Sequence, residues 1–248
     1  MGKTYQKLLQ IRREKRAGFL ILLDPDKVSL AEAGRHVEMA EDGGADALLV
    51  GGSLLFSNNF DDFIAGLKKQ TRLPVIIFPG SSRQVSSMAD AILFLSLISS
   101  RNANFIIGEQ VLAAPIIRSI ELEAIATAYV LIESGRTTTV EYLSNSRPIP
   151  RNKPDIAAAH ALAAEYLGMK LVYFEGGSGA QYSVPDEMIQ YVSDLITVPL
   201  VVGGGIKSPE DAHRKVEAGA SFIVIGNVLE KHKDLMLIRD FSQAVHTD

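Results

Sequence analysis

The sequence of 248 residues contains no cysteine. Disulfides, thiolate zinc sites, iron–sulfur clusters and cysteine nucleophiles are therefore excluded. It also lacks a basic excess. Lys and Arg number 25 against 29 Asp and Glu, a net charge of −4. A nucleic-acid protein usually carries a basic footprint, so no nucleic-acid partner is expected. Nor is there a long apolar run. Stretches such as AIATAYVLI (124–132) fall well short of the roughly 18–20 residues that a spanning helix needs. The first residues, MGKTYQKLLQIRREKRAG, show no apolar signal region, and Gln6 stands where a myristoylation signal wants Ser or Thr. These absences predict a cytoplasmic protein without a transmembrane segment.

What is present is apolar and regular. The hydrophobic fraction is 47%, too high for wholesale disorder. Eight apolar runs read as strands: 19–23, 47–52, 74–78, 91–98, 124–132, 171–175, 199–204 and 222–226. They are continuously apolar rather than alternating, as parallel strands covered on both faces are. Helical patterns fill most of the gaps. One starts at Ser29, with Glu32 completing a capping box. Another runs over 154–168, with Pro154 as its first residue and Gly168 just past its end. The stretch between the third and fourth runs is too short for a full helix. GADALLVGG (44–52) echoes GASFIVIGN (219–227), and LPVIIFPG (73–80) echoes VPLVVGGG (198–205). Repeated strand–helix units predict a closed (β/α)8 barrel, with an open doubly wound sheet as the rival. No linker divides the chain, so one domain over 1–248 is expected, with an extra helix in the first 15 residues.

Barrel active sites are built at the C-terminal ends of the strands. Those ends are rich in polar residues and glycine here: Asp24-Pro25-Asp26-Lys27, Gly51-Gly52-Ser53, Pro79-Gly80-Ser81-Ser82, Ser99-Ser100-Arg101-Asn102, Tyr173 to Gly179, Gly203-Gly204-Gly205 and Gly226-Asn227. Glycines let backbone N–H groups approach an anion, and a following helix N-terminus adds its positive end. The last two loops, Gly204-Gly205 and Gly226-Asn227, therefore predict a phosphate site; plain turn glycines are the alternative. Asp24 ends the first strand, where a carboxylate can hold Mg²⁺ or act as a base. Asp-Pro-Asp also makes local caps, which is the simpler account of Asp26. Ser53 offers a second hard oxygen. Mg²⁺ takes one or two protein oxygens and fills its shell with phosphates and water. Glu175 could accept hydrogen bonds from a polyol and take its proton.

Other signals are weak. Asp61-Asp62 better suits a helix start than a diphosphate motif. Gly2-Lys3-Thr4 lacks the upstream glycine of a P-loop, and Gly177-Ser178-Gly179 lacks the third glycine of a dinucleotide fingerprint. The histidines at 36, 160, 213, 232 and 246 show no metal-binding spacing. Arg12 to Arg16 reads as a solvated helix face.

The ordered set LLDPDK, VGGS, FPGS, SLISSRN, RPIPRNKPDIAAAHALAAEYLGM, YFEGGSG, VVGGGI and IGN resembles the geranylgeranylglyceryl phosphate synthase family, which includes heptaprenylglyceryl phosphate synthases, and specifically its second group. The resemblance covers about residues 19–230. It implies transfer of a polyprenyl group, of C20 length, from its diphosphate to the 3-hydroxyl of sn-glycerol 1-phosphate. It implies that Asp24 and Ser53 hold Mg²⁺ on the diphosphate. Tyr173, Phe174, Glu175, Gly176, Gly177, Ser178, Gly179, Gly204, Gly205, Gly226 and Asn227 would hold glycerol phosphate, with Glu175 on its hydroxyls and, with Asp24, catalytic. Some members carry Lys two residues before the first Asp; Leu22 stands there, so that contact is not carried over. The resemblance further implies a homo-oligomer, dimer or hexamer. Phe78, Ala91 and Leu95 are candidates for the prenyl groove, and transient contact with a membrane surface is expected on product release. The alternatives are a sugar-phosphate isomerase or synthase barrel, with Glu133 as its second acid, an FMN-binding barrel using the same phosphate loops, and a non-catalytic phosphoglycolipid-binding barrel.

Overall fold

The structure is a computed structural model that describes residues 2–226 and 234–246. Its strands are β1 (Gly18–Leu23), β2 (Ala47–Val50), β3 (Val75–Ile77), β4 (Ala91–Leu97), β5 (Glu123–Leu131), β6 (Leu171–Glu175), β7 (Leu200–Gly203) and β8 (Phe222–Ile225). All neighbours pair in parallel, and β8 returns to β1 with Gly18 opposite Phe222, so the sheet closes into a barrel. The open-sheet rival is excluded by that closure. The apolar runs extend past several strands because the terminal glycines and prolines leave the ladder.

The helices are α1 (Lys3–Lys15), α2 (Leu30–Asp42), α3 (Phe60–Lys68), α4 (Glu109–Ser119), α5 (Thr139–Ser144), α6 (Pro154–Tyr166), α7 (Asp186–Ser193), α8 (Pro209–Glu217) and α9 (Leu235–Val245). Local chemistry sets their starts. The Ser29 hydroxyl accepts from the Glu32 amide as the N-cap of α2 and donates to the Glu32 carboxylate at 2.8 Å. Ser208 accepts from the Asp211 amide ahead of Pro209. Asp61 and Asp62 lie in the first turn of α3, where acids suit the helix dipole. No helix lies between β3 and β4. A wide helical turn over Asn104–Gly108 leads into α4. Side chains satisfy its loosened backbone: Ser96 Oγ donates to the Ile106 carbonyl at 2.7 Å, and the Gln110 amide donates to the Phe105 carbonyl at 3.2 Å and to that of Leu95.

Two apolar layers hold the barrel. Alternate strand residues fill its interior, among them Leu20, Leu49, Ile76, Leu93, Ile125 and Phe222. The other set faces the helices. Helix α1 joins the inner layer through Tyr5, Leu8 and Ile11 and stoppers the N-terminal end of the barrel. It has no side-chain cap of its own. Glu123, the first residue of β5, accepts from the Thr4 and Tyr5 amides at 2.8 and 3.0 Å instead. With that end closed, the C-terminal mouth is the open one.

Candidate active site

A cavity of about 1050 Å³ occupies the mouth. Asp24, Ser53, Tyr173, Glu175, Gly177, Ser178, Gly179, Gly204, Gly205 and Gly226 all line it. Asn227 lies outside the described residues.

Side-chain alternation along β6 sorts its three candidates. Tyr173 and Glu175 point into the barrel. Phe174 points the other way, into the helix-facing core, and its side chain is turned from the cavity. Gly176 is not on the cavity wall; its amide donates to the Gly203 carbonyl at 2.9 Å and ties β6 to β7.

Glu175 is buried, 6% exposed. Burial pushes its carboxyl up to about 7; the Gly177 amide, Tyr173 and Tyr129 pull it back only in part. The Gly177 amide donates to Glu175 Oε1 at 2.5 Å. That donor is therefore committed to orienting the acid. Gly204, at φ +79°, completes the arrangement: a Cβ there would collide with Glu175 Oε1 and crowd the Gly177 amide. Below the acid lie Phe78, Tyr129 and Tyr173. Phe78 stacks on Tyr173 with centroids 5.2 Å apart, and Tyr129 meets both edge-on. Burial, then the Glu175 charge, holds both phenols well above the ordinary tyrosine range. The Tyr173 hydroxyl is buried and has no hydrogen-bond partner of ordinary geometry among the described residues.

At the opposite rim, Asp24 Oδ1 accepts from the Asp26 amide at 3.1 Å, and Oδ2 pairs with Lys27 at 3.1 Å. The carboxylate lies against Gly52, next to Ser53. Asp26 has a different task. It accepts from the Phe56 and Ser57 amides at 2.7 and 3.0 Å and fastens the β2–α3 loop. Asp24 and Ser53 supply two hard oxygen donors on one cavity wall. That set fits Mg²⁺ when phosphate oxygens complete the shell. Among the described residues no group of three His, Asp or Glu side chains could hold a metal alone.

A narrow apolar groove opens off the cavity between β3, β4, α4 and α5. Gly52, Ser53, Phe78, Tyr129 and Val140 belong to both. Phe78 and Leu95 line this groove, with Phe94, Phe105, Ala113 and Leu143. Ala91 does not. It is the first residue of β4, fully buried near the stoppered end, too deep to reach the rim.

Sequence reasoning missed three features. Gln84 clamps the β2 loop, donating from Nε2 to the Gly52 carbonyl at 2.8 Å. Tyr129 reads as core within an apolar run. Arg136 and Lys207 both line the mouth. Glu133, the second acid of the isomerase alternative, is exposed, does not line the cavity, and accepts from the Arg151 amide at 3.4 Å. His36, His160 and His213 lie on helices, each with a ring nitrogen against a backbone carbonyl, and His246 pairs with Asp46. His232 lies outside the described residues.

The PcrB family profile matches residues 9–245. A geranylgeranylglyceryl phosphate synthase of Chitinophaga pinensis is 42% identical over 99% of this chain and 96% of its own length. One from Thermococcus gammatolerans is 48% identical over 93% of this chain and 91% of its own. The crystal structure of (S)-3-O-geranylgeranylglyceryl phosphate synthase from Thermoplasma acidophilum, in complex with its substrate sn-glycerol-1-phosphate, superposes with a TM-score of 0.94 at 36% identity, covering 99% of each chain.

Proposed function

The chain belongs to the PcrB family, and on that footing we propose that it is a prenyltransferase that joins a polyprenyl diphosphate, geranylgeranyl diphosphate by preference, to the 3-hydroxyl of sn-glycerol 1-phosphate, releasing pyrophosphate. One observation carries the reading. A mouth lined with glycine-rich loops and one buried acid runs directly into an apolar groove. A sugar-phosphate isomerase has no use for such a groove, and its second acid is absent from the cavity wall.

The phosphate of glycerol phosphate belongs on the loops at Ser178-Gly179, Gly204-Gly205 and Gly226, over the N-terminus of α8. Its glycerol then extends toward Glu175 and the buried Tyr173 hydroxyl. Glu175 takes the proton from the 3-hydroxyl as the new C–O bond forms at the allylic carbon and the bond to the diphosphate breaks. The prenyl chain lies in the groove. Loops and groove fix oxygen against carbon, and this positioning supplies much of the rate. Asp24 and Ser53 would hold Mg²⁺, which when bound neutralises charge on the departing diphosphate.

Homo-oligomerisation is part of the proposal, as a dimer or hexamer. The exposed Val111, Leu112 and Ile116, all on α4, support it. The cysteine-free composition fits the cytoplasm. The groove's open side is where a product tail would meet a membrane surface.

The test incubates purified protein with radiolabelled sn-glycerol 1-phosphate, Mg²⁺ and C15, C20 or C35 prenyl diphosphate in separate tubes. A prenyl glyceryl ether, most abundant with C20 and abolished by EDTA, is expected. Folded protein that makes no ether in any tube overturns the reading.

A further inference from the structure

Among the described residues, three cations line the mouth cavity: Lys27, Arg136 and Lys207. Two are engaged within the protein. Lys27 pairs with Asp24 at 3.1 Å, and Lys207 donates to the Gln181 carbonyl at 2.8 Å. Arg136 makes no hydrogen bond or ion pair to any described residue. Its guanidinium is an uncommitted cation with five donors, facing a cavity whose substrates are anions. Position 22, on the β1 side of the same cavity, is leucine and contributes no charge.

The segment that carries Arg136 is held in place. It is the strap 133–138 between β5 and α5. The buried Ser134 offers its carbonyl to the Gln181 and Tyr182 amides, each at 3.0 Å. Arg151 donates to the Glu133 carbonyl at 3.1 Å and to the Ser183 carbonyl at 2.7 Å, with its guanidinium over the Tyr182 ring. Thr138 is buried against Gly177, and its hydroxyl caps α5. The strap is thus fastened to the β6 loop, on the glycerol phosphate side of the mouth. Asp24 and Ser53 lie on the β1–β2 side.

We propose that Arg136 binds the phosphate group of sn-glycerol 1-phosphate, closing from the β5–α5 strap over the backbone loops of β6 and β7. This rests on the reading of the mouth as a glycerol phosphate site. Backbone amides and a helix end hold a phosphate from below; a guanidinium adds a charge-assisted pair from above. Because the side chain has no partner among the described residues, its removal is expected to leave stability unchanged.

The experiment measures binding of sn-glycerol 1-phosphate alone by calorimetry, then steady-state kinetics with each substrate varied, for wild type, Arg136→Ala and Arg136→Lys. Losing a hydrogen bond to a charged group predicts a Kd for glycerol phosphate about 10- to 100-fold weaker in Arg136→Ala. The KM for prenyl diphosphate stays within about twofold, Arg136→Lys falls between, and Tm is unchanged. The salt dependence of glycerol phosphate binding also weakens in Arg136→Ala, because a charge contact is gone. If Arg136→Ala binds glycerol phosphate as wild type does, or if the loss falls on the diphosphate instead, the assignment to Arg136 is wrong while the function stands. Wild-type protein that neither binds glycerol phosphate nor forms ether overturns both.

Discussion

Glu175 shows how one residue exchanges stability for reactivity. A carboxylate in water titrates near 4.3, too low to be an effective base at neutral pH. Burial raises Glu175 to about 7. The folded state then holds its proton more tightly than the unfolded state does. Its contribution to stability is greatest below about pH 4 and declines as pH rises through about 7, where the buried group ionises. Glutamine keeps the shape and can still accept from the Gly177 amide, without the charge. Glu175→Gln is therefore expected to melt a few degrees above wild type at pH 8 and close to it at pH 4. Scanning calorimetry at both pH values checks this; a lower Tm at pH 8 would contradict the burial account.

The strand elements were legible because each apolar run is long enough to be covered on both faces, and the polar residues cluster at one end. Phase and depth were harder. Glu175 faces the mouth, so Tyr173, two residues earlier, does too, and Phe174 cannot; that parity is present in LVYFE but needs the inward face as its anchor. Ala91 was misplaced because a run does not say how far up the barrel each residue sits. Gln84 was invisible for another reason. Its hydrogen bonds to Gly52 span 32 residues and follow no periodic pattern. At the β7–α8 turn, Gly204 needs both its positive φ and its missing Cβ. Gly204→Ala is expected to cost about 1–3 kcal/mol from backbone strain and to raise the KM for glycerol phosphate at least tenfold, as the Glu175–Gly177 contact is displaced. Denaturant titration and kinetics with glycerol phosphate varied measure the two effects.

At the scale of the whole molecule, the two ends of the barrel divide the work. The N-terminal end is built for stability. Buried Asp46 gathers distant parts of the chain there: Lys15 of α1 at 2.6 Å, the Phe19 amide of β1 at 2.8 Å, and His246 after α9 at 2.7 Å. Burial alone would raise the Asp46 carboxyl, but His246, Lys15 and the Phe19 amide together bring it below the usual range. Its stabilisation is present above about pH 4 and is lost as pH falls through its lowered value. Asp46→Asn is expected to lose about 2 kcal/mol at pH 7, with the gap to wild type narrowing by pH 3. Urea unfolding across that range reads the difference, and a gap constant with pH would contradict it.

The mouth is built differently: an acid tuned by burial, glycine-rich loops and an apolar groove meet at one cavity. The most direct test of that account is the pH dependence of kcat/KM for sn-glycerol 1-phosphate, in wild type beside Glu175→Gln. For wild type, the rate should fall about tenfold per pH unit below an inflection near 7, as Glu175 takes up its proton. Glu175→Gln should be slower by about 100-fold or more, with the Glu175 inflection gone. Near-normal turnover in the variant, with the same inflection, would contradict it.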